Sequence, residues 1–370
     1  MAAGQAVSHP SSRASLSDVQ SLRGIAASLV MCYHTGTIYA THFGSLLFGN
    51  AFRAGFIGVD FFFVLSGFVM YWAHVQDFGQ PAALGSFVKK RLLRIMPLYW
   101  VVLAVKLLRD WRQFDWLVVL SAAALLPYPR PPCITVSWTL SYEMLFYAAV
   151  ALMILLPRGW LTFLPLLALA ALALTPPPVT APGNGFLDAL MVFPFNIHLL
   201  EFLMGLAVGW LNAHWRASPR QAHALVVLTG VWLVGVLAAA TWLSRPAVLP
   251  TWAPAYELAE LHSNAILEQG VWLIAMPFAL LLLGLIKREQ LGAKPLLTLL
   301  NGLGDMSYSL YLVHGFVIYA LLGRGALQGA LDDHPWAVLG VMACAMAFAY
   351  ATHHLVERPV TNWLRQRWLG

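Results

Sequence analysis

The stretch "SLRGIAASLVMCYHTG", Ser21 to Gly36, sets Arg23 and His34 in an otherwise apolar run. A cation or an imidazole is costly in hydrocarbon, so such side chains face a protein interior, a cavity or a partner. Eleven residues is about three helical turns, so the two share one face roughly 16 Å apart. Two further arginines, Arg91 and Arg94 in "KKRLLR", are three apart. That helical spacing projects both guanidinium groups from one side and suits bidentate recognition of phosphate or carboxylate. Asp60 in "GFIGVDFFFVLSGF" and Glu143 in "VSWTLSYEMLFY" fall at a depth similar to His34. A histidine whose tautomer is held by a carboxylate is equipped for general-base chemistry.

Each of these residues also has a plain structural reading. "KKRLLR" works as a positive-inside signal, most readily through Lys89 and Lys90. A lone intramembrane histidine bonds a neighbouring helix, and Asp60 suits a helix N-cap. His198 and Glu201 in "NIHLLE" are three apart and can touch, and Trp138 and Tyr142, at i and i+4, offer ring surface to a sugar. A metal site from His34, His198 and Glu201 can be drawn, but no spacing demands it, and none is expected. His314 in "SYSLYLVHGF" reads as a packing or pore residue, and His353 and His354 as interfacial. Cys32, Cys133 and Cys344 form no disulfide framework and no metal-spaced cluster.

The elements that position these groups are transmembrane helices. Of 370 residues, 60% are hydrophobic and only 10% charged, where a soluble domain carries nearer a quarter. Fifteen Trp and twelve Tyr fit the aromatic belts of two membrane interfaces. The net charge of +6 is dispersed through short loops, which argues against a nucleic-acid groove. Apolar windows at 18–40, 56–76, 90–108, 136–156, 159–175, 190–211, 222–243, 266–286, 306–323 and 335–356 predict an all-α bundle of about ten spans. The stretch 115–128 is short for a crossing and reads as re-entrant or interfacial. Lysine and arginine cluster on one side, at 89–94, 214–223, 287–294 and 357–370, which places both termini in the cytoplasm. The expected organisation is a disordered tail (1–17), one membrane domain (18–360) and a cytoplasmic tail (361–370).

In order along the chain, Arg23 and His34, "GVDFFFVLSGF", "RLLRIMPLYW", "SWTLSYEMLFY", "SYSLYLVHGF" and the late "ERP" resemble the acyltransferase-3 membrane family. The "WTLSYE" wording and the lack of an appended extracytoplasmic domain are most similar to its exopolysaccharide-modifying branch. The resemblance implies a multi-pass enzyme of the bacterial inner membrane. It moves an acyl group, usually acetyl, from cytoplasmic acyl-CoA to a carbohydrate hydroxyl of an exopolysaccharide, O-antigen or lipid-linked sugar. It further implies that Arg23 and His34 match an essential Arg–His pair, Arg91 and Arg94 an Arg-x-x-Arg pair, and Asp60 and Glu143 two acidic positions. On that basis Arg23, Arg91 and Arg94 hold the phosphates of acyl-CoA, the donor. His34 acts as general base or brief acyl carrier, oriented by Asp60 or Glu143, while Trp138, Tyr142, His198 and Glu201 face the acceptor sugar. A transporter or flippase would share the buried charges but should show inverted repeats, which are not evident. A non-catalytic subunit of a polysaccharide synthesis complex would tolerate loss of His34.

Overall fold

A computed structural model describes residues 16–43, 47–127, 132–176, 186–243, 271–323 and 336–368. The expected amino-terminal tail, most of the proposed outer loop 175–185 and the loop 244–265 lie outside the described residues. Every regular element among the described residues is helical. In chain order these are α1 (Ser17–Phe43), α2 (Gly58–His74), α3 (Leu84–Asp110), α4 (Trp116–Ala124), α5 (Trp138–Leu155), α6 (Leu164–Leu174) and α7 (Phe186–Val192). Then follow α8 (His198–His214), α9 (Pro219–Leu243), α10 (Met276–Gln290), α11 (Asn301–Asp305), α12 (Ser307–Leu322), α13 (Ala337–Thr352) and α14 (Arg358–Trp368).

Among the described residues, five helical stretches are both long and apolar enough to cross a membrane: Ala54–His74, Thr135–Leu155, Pro219–Ala239, Val271–Gln290 and Ala337–Trp368. A sixth results if Thr298–Asp305 and Ser307–Leu322, bent by 65°, count together. The sequence-based count of about ten is larger, for identifiable reasons. Both α1 and α3 are 27 residues, about 40 Å long, but the polar groups of α1 and the basic residues of α3 dilute their apolar character. The window 190–211 is broken at 193–197, where Pro194 cannot continue a helix and Asn196 accepts a hydrogen bond from the His198 N–H at 2.9 Å. In 159–175 the α-helix is only α6, 11 residues long. The segment 115–128 holds the nine-residue α4, capped by Asp115 and ended by Leu125 in the left-handed region (φ 54°). The last helix reaches Trp368, within the expected tail 361–370, after a wide turn at His353–Glu357 ahead of Pro359.

The apolar side chains on the outside explain the setting. Leu228, Val231, Trp232 and Val234 on α9, with Leu108 on α3, are half or more exposed. A continuous apolar outer face of this kind belongs against lipid. Two interior clusters fill the bundle. One centres on α3, α5 and α12 through Tyr99, Phe146, Met153 and Leu310. The other joins α2 to α10 through Phe61, Phe68 and Phe278, with the Phe61 and Phe278 rings stacked at 3.5 Å.

Helices α2 and α8 cross at close range. A Cβ on Gly67 would lie 2.0 Å from the Phe202 carbonyl oxygen, and one on Gly205 2.0 Å from that of Val64. The contacts advance in the same direction along both helices, from Gly67 with Phe202 to Tyr71 with Gly209, so the two run parallel. Only glycine permits backbones this near. Gly67→Ala should therefore cost about 1–3 kcal/mol, read as a lowered thermal midpoint in detergent. Gly235→Ala, where a Cβ meets open space, should change stability by less than about 0.5 kcal/mol.

Candidate functional site

The start of α1 is fastened to the loop between α10 and α11. The Leu297 N–H donates to Asp18 at 2.9 Å, Ser21 Oγ donates to the Leu297 carbonyl at 2.6 Å, and the Ser17 N–H donates to Glu289 at 2.8 Å. This anchoring places Arg23, one turn further on, at the wall of a cavity of about 740 Å³. Arg91 and Arg94 from α3 and Glu143 from α5 line the same cavity. The three arginines expected to act together are thus brought together. Glu143 joins them rather than His34. Its carboxylate accepts from Ser66 Oγ at 2.9 Å and from the Tyr147 hydroxyl at 2.7 Å.

Arg91 is held more firmly than its motif suggests. Its guanidinium donates to His74 Nε2, and His74 Nδ1 donates to Asp77 at 2.7 Å. This tautomer follows from the partners: Nε2 must accept from a cation, so the ring proton sits on Nδ1. The guanidinium also lies 5.9 Å from the ring centres of Phe87 and Tyr147. Its Nε is buried without a partner among the described residues, as is Ser307 Oγ, whose residue lines the cavity. Sequence reading passed over His74 and Asp77. The signal was a histidine at the end of one helix, facing the basic start of the next.

His34 lies outside the cavity lining. Its ring neighbours that of His314 on α12, with centroids 5.2 Å apart. His314 is fully buried, and its Nδ1 donates to the Leu310 carbonyl at 2.9 Å. Its Nε2 is therefore an acceptor, and it has no hydrogen-bond partner among the described residues. Near this pair, Tyr311 is in edge-to-face contact with Phe62 at 5.4 Å. Both line the cavity, and the Tyr311 ring is 6.3 Å from that of His314. The sequence reading gave His34 a carboxylate partner; the structure gives it a second imidazole, from the histidine of "SYSLYLVHGF".

Asp60 is directed elsewhere, into a group with His198 and Glu201. His198 Nδ1 lies 3.1 Å from the Glu201 carboxylate and 3.8 Å from Asp60. Trp138 is 39% exposed, its ring centre 5.6 Å from that of His198. Tyr142 is buried, stacked on Phe193 at 4.1 Å, and donates its hydroxyl to the Phe193 carbonyl at 3.1 Å. Of the aromatic pair, Trp138 alone is left with open ring surface.

Chemically, the cavity offers three guanidinium groups to an anion, and the histidine pair outside its lining places two imidazoles side by side. A family model described as an acyltransferase domain matches residues 16–354. The exopolysaccharide production protein ExoZ of Rhizobium meliloti (strain 1021) is 30% identical over 86% of this chain and 93% of its own. The putative membrane-bound transacylase BcsY of Komagataeibacter xylinus is 26% identical over 92% of this chain and 82% of its own. The acyltransferase MdmB of Streptomyces mycarofaciens is 27% identical, with 85% and 82% covered. No solved structure matches the chain. A match of this extent, with the motif arginines gathered around one cavity, makes the chain a member of the acyltransferase-3 family of membrane proteins.

Proposed function

We propose that this protein is an inner-membrane O-acyltransferase that moves an acyl group, in the simplest case acetyl, from cytoplasmic acyl-CoA to a hydroxyl of an exported carbohydrate. The observation that carries this reading is the cavity lined by Arg23, Arg91 and Arg94. Three guanidinium groups share this space with only the carboxylates of Glu143 and Asp305, and the cationic excess inside an apolar bundle is costly unless a further anion joins it. The phosphates of coenzyme A answer that demand, and arginine meets them with paired N–H groups. The family supplies acyl transfer, and the relative named for exopolysaccharide production suggests the acceptor class.

In this reading the nucleotide end of the donor sits against the arginines, and its narrow thiol-bearing arm passes Phe62 and Tyr311 to bring the thioester to His34. The Leu310 carbonyl fixes the proton of His314 on Nδ1, leaving Nε2 to accept an N–H from His34. The other nitrogen of His34 is then free to take the proton of the acceptor hydroxyl. As that proton leaves, the oxygen attacks the thioester carbonyl, the carbon–sulfur bond breaks, and the departing thiolate takes the proton back from the imidazolium. The products are an O-acyl ester and a free thiol, with no net change in protons. Trp138 offers its exposed ring to the sugar.

Removing the base should be severe. His34→Ala is expected to lower acyl transfer by about 10²–10⁴-fold while leaving the thermal midpoint and donor affinity near wild type. His314→Phe should reduce kcat with little change in donor KM. Transfer of radiolabelled acyl groups to purified acceptor polysaccharide checks both, and near wild-type activity of His34→Ala would remove the histidine from the chemistry.

The arginine end has a different signature. Arg91→Ala should weaken acyl-CoA binding by about 10–100-fold, the worth of one charge-assisted contact, measured by calorimetry in detergent. His74→Leu should follow it in direction with a smaller effect, whereas His74→Gln, which keeps an acceptor, should recover most of the affinity. Unchanged affinity in Arg91→Ala would move the nucleotide site elsewhere.

A further inference from the structure

We propose that Asp60, His198 and Glu201 form a binding site for one divalent transition-metal cation of the zinc or manganese class. One possible ligand atom from each residue lies within 4.8 Å of the others. The closest approaches, 3.1 Å from His198 Nδ1 to Glu201 and 3.8 Å to Asp60, suit an ion whose bonds are about 2.1 Å, which holds its ligands about 3–4 Å apart. One imidazole with two carboxylates is a donor set for zinc or manganese rather than for a purely oxygen-bound ion.

The polar arithmetic within the group points the same way. Asp60, His198 and Glu201 are 2%, 4% and 0% exposed. Among the described residues, the ion pairs of the two carboxylates go to His198 and to no lysine or arginine. A proton on His198 Nδ1 serves Glu201, at 3.1 Å from each oxygen, and reaches neither Asp60 oxygen, so without a cation Asp60 has only a proton shared with the Glu201 carboxyl. Two carboxylates that share one imidazole inside the bundle, where the rings of Phe63 and Trp138 lie 5.2 and 5.6 Å from that of His198, are expensive as a pair of anions. A cation in place of the Nδ1 proton serves all three residues at once. His198 and Glu201 lie in the first turn of α8, whose positive end favours an ionised carboxylate.

The position suggests a structural clamp. Asp60 stands about two turns before Gly67 on α2, and Glu201 one turn before Gly205 on α8, so the ion would tie the two parallel helices beside their closest crossing. Sequence spacing could not show this, because one ligand is far from the other two along the chain.

The test is the metal content of full-length protein purified in detergent without chelator and without a polyhistidine tag. The expected result is about one equivalent of zinc or manganese per chain, lost in Asp60→Asn and in Glu201→Gln. Chelation of the wild type should lower its thermal midpoint, and Zn²⁺ or Mn²⁺ alone should restore it. Less than about a tenth of an equivalent in the wild type, together with no rise in midpoint on adding either ion, would overturn the site. So would full metal retention by both variants. Should the variants fail to fold, the wild-type chelation and re-addition arms decide the matter alone.

Discussion

A guanidinium group cannot rest against lipid tails without a partner, and this one constraint orders the interior of the bundle. Arg23, Arg91 and Arg94 come from two helices far apart in sequence and converge on one cavity with Glu143. Each brings its own scaffolding. Arg23 is placed by the hydrogen bonds that fasten the start of α1 to the segment around Leu297. Arg91 is held by the Asp77–His74 relay and flanked by two rings. The remaining helices present apolar faces outward because the polar faces are already committed inward.

Helix α2 shows how a single amphipathic element serves two polar sites. Val59, Phe62, Ser66 and Val69 recur at helical spacing and line the cavity. Asp60, Val64 and Gly67 recur on the neighbouring face and meet α8. The two faces differ by about 100°, one residue of helical rotation. The glycine crossing of α2 and α8 therefore sets more than a packing distance. It fixes the rotation of α2, and with it whether Ser66 reaches Glu143 and whether Asp60 reaches His198.

That Arg91 and Arg94 face one space was legible in the sequence because three residues of helical spacing project a pair from one side, and that rule is local. The same local logic found His198 beside Glu201 and placed Trp138 next to Tyr142. Partnerships across helices were not legible. Asp60 and Glu143 were grouped with His34 because all three fell at similar depth, but depth fixes only one coordinate of three. Rotation about each helix axis sent Asp60 to α8, Glu143 to the arginines and His34 to His314. The span count differs from the number of helices long and apolar enough to cross among the described residues for a related reason. Hydropathy windows register composition, and they do not see the break at Pro194 or the 65° bend before Ser307.

Phe62 and Tyr311 line the arginine cavity, and the Tyr311 ring also neighbours that of His314. The Tyr311 hydroxyl is shared with Thr139 Oγ1 at 2.6 Å and the Val136 carbonyl at 3.0 Å. These bonds root the ring at the start of α5, beside Trp138, whose ring is partly open. In the reaction proposed above, a thioester that passes these rings toward His34 would shift Phe62, Tyr311 or both, and that would couple the donor's arm to the start of α5. Under that proposal the rings would exclude water, and with it hydrolysis of the thioester, until the arm itself fills the space.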